Sequence, residues 1–310
     1  MKRKSKMCEL WRNTVRYRGI LLLALPGLAL LIAFNYLPMV GIVIPFKRVN
    51  YALEILGSDW AGLSNFQFLF SSGNLWRAIQ NTLLQNALFI VLGLVVSVAL
   101  ALLLQQMNNR RIKLYMTALF VPYFLSWVVV GYVAYAFLNT DLGVVNRLIT
   151  NLTGAPKVNW YMESRYWRGI LVICYLWKNV GYFTILYYAA LIGIDVSYYE
   201  AAGIDGATKW QQIWYISLPQ LMPTIMTLLL LQIGKIFFSD FGLFYFVPKN
   251  SGALYAVTDV IDTFVFRSLQ TDPNIGMTAA AGLCQTVAGF ALVIITNAIT
   301  KKIDPNYGLF

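Results

Sequence analysis

Six apolar runs, over residues 20–44, 78–104, 114–138, 169–194, 218–241 and 275–299, constrain this chain more than any other feature. Crossing about 30 Å of hydrocarbon at about 1.5 Å per helical residue takes about 20 residues, and each run is long enough. The runs lack the period-2 alternation of barrel strands and are too long for them, so they are expected to be helices. Composition agrees: 59% of the 310 residues are hydrophobic and 12% charged, against about 25% charged in a soluble domain. The expected fold is an all-α polytopic membrane protein with six transmembrane helices.

The first run follows a basic arm, but it is longer than a signal peptide's apolar region and no small-residue cleavage site closes it, so it reads as a retained span. Six spans place both termini on one side. Thirteen Lys and Arg gather in the first 18 residues, the 105–113 loop, at Lys209 and at Lys301 and Lys302. The other side carries nine, spread over longer loops. The positive-inside rule makes the first set cytoplasmic. The organisation expected is a cytoplasmic arm (1–19), a six-span membrane domain (20–299) and a cytoplasmic tail (300–310).

The net charge of +11 sits beside span ends, where anionic lipid head groups attract it. With no basic domain, no nucleic-acid partner is expected. Histidine is absent, which removes the commonest acid/base and metal ligand. There is no phosphate-binding loop, no C-x-x-C pair and no nucleophile elbow. Cys8 lies in the arm and Cys174 and Cys284 lie inside spans, so no disulfide framework is suggested. No catalytic residue, metal site or cofactor is assigned to this chain, and any driving energy must come from another subunit.

Between the fourth and fifth runs lies "EAAGIDGATKWQQIWYISLP", residues 200–219, a half-polar cytoplasmic insert. Ser197 and Glu200 have the spacing of a capping box and predict a helix start. Gly206 allows a turn or a close backbone approach. Trp210, Ile213, Trp214 and Ile216 resume at helical spacing, and Pro219 suits the first turn of the fifth span.

Glu200, Ala201, Ala202, Gly206, Ile216, Leu218 and Pro219 reproduce, without a gap, the EAA loop (195–219) of binding-protein-dependent ABC importer permeases. "NYLPMVGIVIPFK", "SNFQFLF", "WRAIQNTLL", "FVPYFLS", "LGVVNRLI" and "DVIDTFVFR" extend the resemblance to the carbohydrate-uptake permeases, in the polysaccharide-type branch related to maltose-type permeases. The chain departs from the best-known maltose-type partner, lacking its extra spans and large external domain.

The resemblance implies a type I importer fold in a bacterial plasma membrane, with the seven loop residues forming the coupling surface. It implies a heterodimer with a second homologous permease, two ATPase subunits holding ATP and Mg, and an extracytoplasmic sugar-binding protein. Without it, the insert also reads as an ordinary capped connector, although two alanines and a glycine on an otherwise bulky segment leave room for close approach.

Charged residues inside spans usually face a bundle interior or a wet cavity. Lys178 and Lys235 each lie nine residues from an expected outer span end, which suggests one site at one level. Tyr175, Lys178, Asn179 and Tyr182 share a helix face, as do Gln232, Lys235 and Ser239, and Thr278, Gly282, Gln285 and Gly289 form a third stripe. Together these could present hydrogen-bonding groups and flat rings to a sugar. The same residues could instead join helices, with Gly282 and Gly289 as packing positions and a lysine paired to Asp240.

In the outer loop, Val257, Val260, Ile261, Phe264 and Val265 fall on one helical face, with Asp259, Asp262 and Arg267 elsewhere. That pattern suits an interfacial helix on the bilayer or a docking element for a binding protein. The functional reading is one half of a carbohydrate pathway, for an oligosaccharide. The alternatives are an importer permease for a non-sugar solute, and, in a different class, a membrane-embedded enzyme or a scaffold.

Overall fold

The computed structural model of the chain describes residues 16–50, 53–71, 73–107, 109–271 and 274–303. Most of the basic arm, including Cys8, and the end of the tail lie outside the described residues. Helix α1 (Arg18–Leu31) continues through a π turn (Ile32–Tyr36) and a 3-10 stretch (Leu37–Phe46), making a span of 29 residues. A small antiparallel hairpin, β1 (Lys47–Asn50) with β2 (Ser58–Trp60), precedes α2 (Ser64–Ser71). No period-2 signal had marked the hairpin. Asn65 of α2 holds it to the first span, donating to the carbonyls of Pro45 at 2.8 Å and Lys47 at 3.0 Å.

The second span is one continuous helix, α3 (Gly73–Gln105). The third is not. Helix α4 (Asn109–Phe120) gives way to a 3-10 turn (Val121–Phe124) and then to α5 (Trp127–Leu138), and the two halves meet at 100°. The continuous third helix expected over 114–138 is corrected to a broken one. Pro122 cannot donate a backbone bond, Leu125 is extended, and Ser126 starts a fresh helix by accepting from the Val129 amide.

After α6 (Val144–Thr153), the fourth span is α7 (Trp167–Ile192). The half-polar insert forms α8 (Val196–Ile204) and α9 (Lys209–Gln212), which runs through a π turn (Ile213–Ser217) into α10 (Leu218–Ile233). The fifth span therefore covers Lys209–Ile233, beginning and ending earlier than expected. Both π turns end two residues before a proline, Pro38 or Pro219. A proline ring clashes with the carbonyl four residues back and removes one ladder bond, and a wider turn accommodates both effects.

Short helices α11 (Phe241–Phe246), α12 (Tyr255–Thr258) and α13 (Ile261–Thr271) lead to the last span, α14 (Ile275–Ile303). Among the described residues five helices are thus long and apolar enough to cross a membrane, and the bent pair, counted as one broken span, brings the number to six.

Lipid tails are as apolar as leucine, so helix association here depends on close packing and interhelical hydrogen bonds. One buried cluster joins Phe89, Val130, Trp167, Leu171 and Phe244; a second joins Val98, Ala101, Tyr187, Leu191, Leu221 and Ile225. Gly181 lets α7 approach α4 so closely that a Cβ there would strike the Leu119 carbonyl. Of the two expected packing glycines in α14, Gly289 lies against the Gly234 carbonyl, whereas Gly282 has nothing within 4 Å of a would-be Cβ.

The outer connector is docked on the bundle rather than spread on a bilayer surface. Val257, Val260, Ile261 and Asp259 are buried. Asn81 of α3 donates to the carbonyls of Ala256 and Asp259, both at 3.1 Å, and Thr82 Oγ1 accepts from the Ile261 amide at 2.9 Å. Arg77 and Arg267 both pair with Asp259. An apolar face that reads as lipid-seeking is here satisfied by the N-terminal part of the second span.

Candidate functional site

The break in the third span and a second break, the turn at 234–238 that ends the helix of the fifth, meet around a cavity of about 450 Å³. Non-helical backbone at membrane depth is tolerated where it is buried in protein or lines a cavity, and both conditions apply. Tyr123 comes from the break in the third span; Tyr175, Asn179 and Tyr182 come from α7 at spacings of four and three. Gln232 closes α10, Lys235, Ile236, Phe238 and Asp240 follow its end, and Asn86, Phe89 and Ile90 complete the wall from α3. The cavity lies between the two buried clusters, since Phe89 belongs to one while Phe183 and Leu228 pack against the other.

Its aromatic lining is held in stacks. Tyr123 stacks on Tyr182 with centroids 4.8 Å apart and planes at 12°, and Tyr175 stacks on Phe89 at 4.1 Å and 6°. Fixed rings of this kind offer flat apolar surface at little entropic cost, and the hydroxyls remain hydrogen-bonding groups.

The lysines separate. Lys178 is 8% exposed and turned away from the cavity. Its ammonium donates to the Tyr123 carbonyl at 2.7 Å and lies 5.1 and 5.3 Å from the ring centroids of Tyr123 and Trp127. That carbonyl belongs to the turn where the helix ladder stops, so Lys178 satisfies a group that the break sets free. Lys235 lines the cavity and is exposed. The expectation of two lysines facing one site is corrected to one. Counting helix residues failed for Lys235 because α10 ends at Ile233 and the next residues turn.

Ser239 and Gln285 do not line the cavity; they brace its wall. Asn86 Nδ2 donates to the carbonyls of Ile236 at 2.7 Å and Phe238 at 3.0 Å and reaches Ser239 Oγ at 3.4 Å. Gln285 Nε2 donates to the Phe237 carbonyl at 2.9 Å, and the Ser239 amide donates to Asp262 at 2.8 Å. Two spans thus supply amides that take up the carbonyls of a broken third. Asp240 restarts the helix, accepting from the Gly242 amide on one oxygen and from Trp127 Nε1 on the other.

In the half-polar insert, Glu200 and Ala201 are exposed on α8, with Ala202 half-buried beside them. The cap of α8 is corrected. Asp195, not Ser197, starts the helix, its carboxylate accepting from the Ser197 amide at 2.9 Å, so Ser197 and Glu200 both lie inside the helix. That bond holds the Asp195 carboxyl below the usual carboxylate range. A reciprocal capping box does occur at α9. The Thr208 amide donates to Gln211 Oε1 at 2.7 Å and Thr208 Oγ1 accepts from the Gln211 amide. Between them Gly206 takes φ +76°, the left-handed region that favours glycine. Ile216 and Leu218 are half-buried and Pro219 is exposed.

A polar cluster that motif reading had missed ties this insert to the bundle. Tyr199 and Ser217 share a hydrogen bond of 2.9 Å. Gln105, at the C-terminal end of α3, reaches both, at 3.0 Å from its amide nitrogen to the Tyr199 hydroxyl and 3.2 Å from its oxygen to Ser217 Oγ. The neighbours of Glu200 and Leu218 therefore fix the insert to the second and fifth spans. The signal available in the sequence was only that three polar residues abut the motif and the end of an apolar run.

A family model described as binding-protein-dependent transport system inner membrane component matches residues 113–306, from the third span to the tail. The chain belongs to this family. It is 34% identical to protein LplB of Bacillus subtilis over 95% of its own length and 92% of that protein's. Another Bacillus subtilis relative, the polygalacturonan/rhamnogalacturonan transport system permease protein YteP, is 32% identical over 97% of this chain and 93% of its own.

Among solved structures, a chain of a bacterial ABC transporter that imports the acidic polysaccharide alginate matches with a TM-score of 0.87 at 29% identity. It covers 96% of this permease and 99% of that chain. A second structure, the alginate transporter with an alginate pentasaccharide-bound periplasmic protein, gives 0.86 at 29% identity. The all-α polytopic fold and its assignment as a membrane-bound importer permease follow from these matches together with the span pattern.

Proposed function

We propose that this permease forms half of the translocation pathway of an ATP-driven importer for an oligosaccharide, which an extracytoplasmic binding protein delivers. The observation that carries the reading is the aromatic and amide-lined cavity between two span breaks in a family whose relatives include a named polygalacturonan/rhamnogalacturonan permease and an alginate importer. Stacked tyrosines suit the apolar faces of pyranose rings; Asn179 and Gln232 suit their hydroxyls. A second homologous permease completes the pathway, and two ATPase subunits, binding ATP and Mg, dock on the insert containing Glu200 and Gly206.

The chain carries no phosphate-binding loop of its own, so it moves solute and leaves hydrolysis to those subunits. Both termini are cytoplasmic in this reading, which puts α8 on the same side as ATP. The test is affinity purification of the tagged permease from its native membrane, followed by reconstitution. Copurification of ATPase subunits and a second permease, with sugar uptake that needs internal ATP and external binding protein, is expected. Uptake of sugar without ATP, or purification of the chain alone from a membrane that retains activity, would overturn it.

A further inference from the structure

The cavity lining carries two charged groups in different states. Asp240 is engaged on both oxygens, by the Gly242 amide and by Trp127 Nε1. The Lys235 ammonium has no hydrogen-bond or ion-pair partner among the described residues. Behind the wall, Lys178 is committed to the Tyr123 carbonyl and Asp262 to the Ser239 amide. The four charges sum to zero, so net potential does not select a ligand. Unspent hydrogen-bonding capacity does, and among these four charged groups it belongs to one ammonium.

A lysine at membrane depth is costly unless it faces water, an anion or a partner charge. The turn after Ile233 carries Lys235 off the helix, and Asn86 and Gln285 hold the backbone on either side of the turn through the carbonyls of Ile236, Phe237 and Phe238. The position of this cation is therefore built rather than incidental. Beside it stand the stacked rings of Tyr175 and Tyr182, which would take a sugar ring and discriminate poorly between neutral and acidic ones.

From this arrangement we infer that the cavity is selective for acidic oligosaccharides, with the Lys235 ammonium pairing with a uronate carboxylate while the tyrosine rings carry the pyranose faces. The inference rests on the import reading above and adds the chemical class of the sugar. A uronate carboxylate supplies the acceptor that Lys235 lacks; a neutral sugar leaves that ammonium to water.

The test uses the intact importer in nanodiscs without its binding protein, so that the permease cavity alone is read. Binding of a penta-uronate and of its carboxyl-reduced counterpart, equal in length and linkage but uncharged, is followed by saturation-transfer NMR. The uronate should bind at least about 10-fold more tightly, as expected for a charge-assisted hydrogen bond, and the preference should shrink with added salt. In Lys235→Gln the preference should fall towards 1, while Lys235→Arg keeps most of it.

Equal binding of both sugars by the native complex, or a preference that survives Lys235→Gln, would overturn the inference and leave oligosaccharide import standing. Binding of neither sugar would overturn both. Dissociation of the subunits in Lys235→Gln and not in Lys235→Arg would assign the lysine to an ion pair with the second permease, and would also overturn it.

Discussion

The Lys178 ammonium and the Tyr123 backbone carbonyl, 55 residues apart in the chain, meet at 2.7 Å across the break in the third span. A lysine that looks like a ligand-binding group is thus a fastener. It holds Tyr123 at the angle where its ring stacks on Tyr182 and forms part of the cavity wall.

Lys178→Met should leave that carbonyl unpaired in a buried setting and cost about 2 kcal/mol of stability, the range for a hydrogen bond to a charged group. Lys178→Gln, which can still donate, should cost less. Thermal unfolding of the detergent-solubilised complex measures both, and equal midpoints for Met and native lysine would show that the bond holds nothing.

Tyr199, Ser217 and Gln105 give a second prediction. Tyr199→Phe removes one hydroxyl from the cluster that joins α8 to the second and fifth spans. Sites linked by a coupling free energy should lose their linkage before they lose binding. The variant complex should retain its ATPase subunits while binding-protein-stimulated ATP hydrolysis falls several-fold. A double-mutant cycle with Ser217→Ala should show about 1 kcal/mol of non-additivity. Full additivity would mean the two residues act separately.

Gly206 can be dissected because its φ of +76° is strained for an L-residue while a Cβ there meets nothing within 4 Å of this chain. Gly206→Asn should be tolerated best, since asparagine visits this conformation, and Gly206→Ala should cost about 1–2 kcal/mol of local stability. Gly206→Trp adds bulk to the surface on which the proposed ATPase subunit docks, so it should expel that subunit or abolish uptake. Uptake by Gly206→Trp equal to that of the native complex would move the coupling surface elsewhere.

Topology has its own test. A C-terminal fusion to a reporter that is active only outside the cytoplasm should stay silent, whereas the same fusion placed in the outer connector at Ser251 should be active. Activity at the C-terminus would invert the bundle and detach the insert from ATP.

Span number, the half-polar insert and the family were legible because apolar length and the seven-position motif are local properties of the sequence. The breaks were not. Hydropathy continues through Val121–Phe124 and through Gly234–Phe238, and only Pro122 and Gly234 punctuate those runs. What decides whether the helix stops there is the set of distant donors, Lys178, Asn86 and Gln285, that accept the cost of the freed carbonyls. Helix-face reasoning placed Tyr175, Asn179 and Tyr182 together because α7 is regular. It misplaced Ser239 and Lys178 because one lies beyond a helix end and the other answers a break on another span. The polar stripe of α3 (Asn81, Thr82, Asn86) belongs to no motif, yet it holds both the connector after the fifth span and the end of that span.

The central claim is that the cavity between the breaks is the solute pathway and that ATP changes which side it opens to. Asn179 lines the cavity without bracing any other span. A single cysteine at position 179, in a chain whose three native cysteines are replaced by serine or alanine, reports its accessibility to a small membrane-impermeant thiol reagent added outside. In the reconstituted importer, loaded binding protein with trapped nucleotide should change the labelling rate at least about tenfold relative to the nucleotide-free complex, and excess oligosaccharide should protect the site. The same slow rate in every nucleotide state, with no protection by sugar, would contradict the account and make the cavity a packing defect between helices.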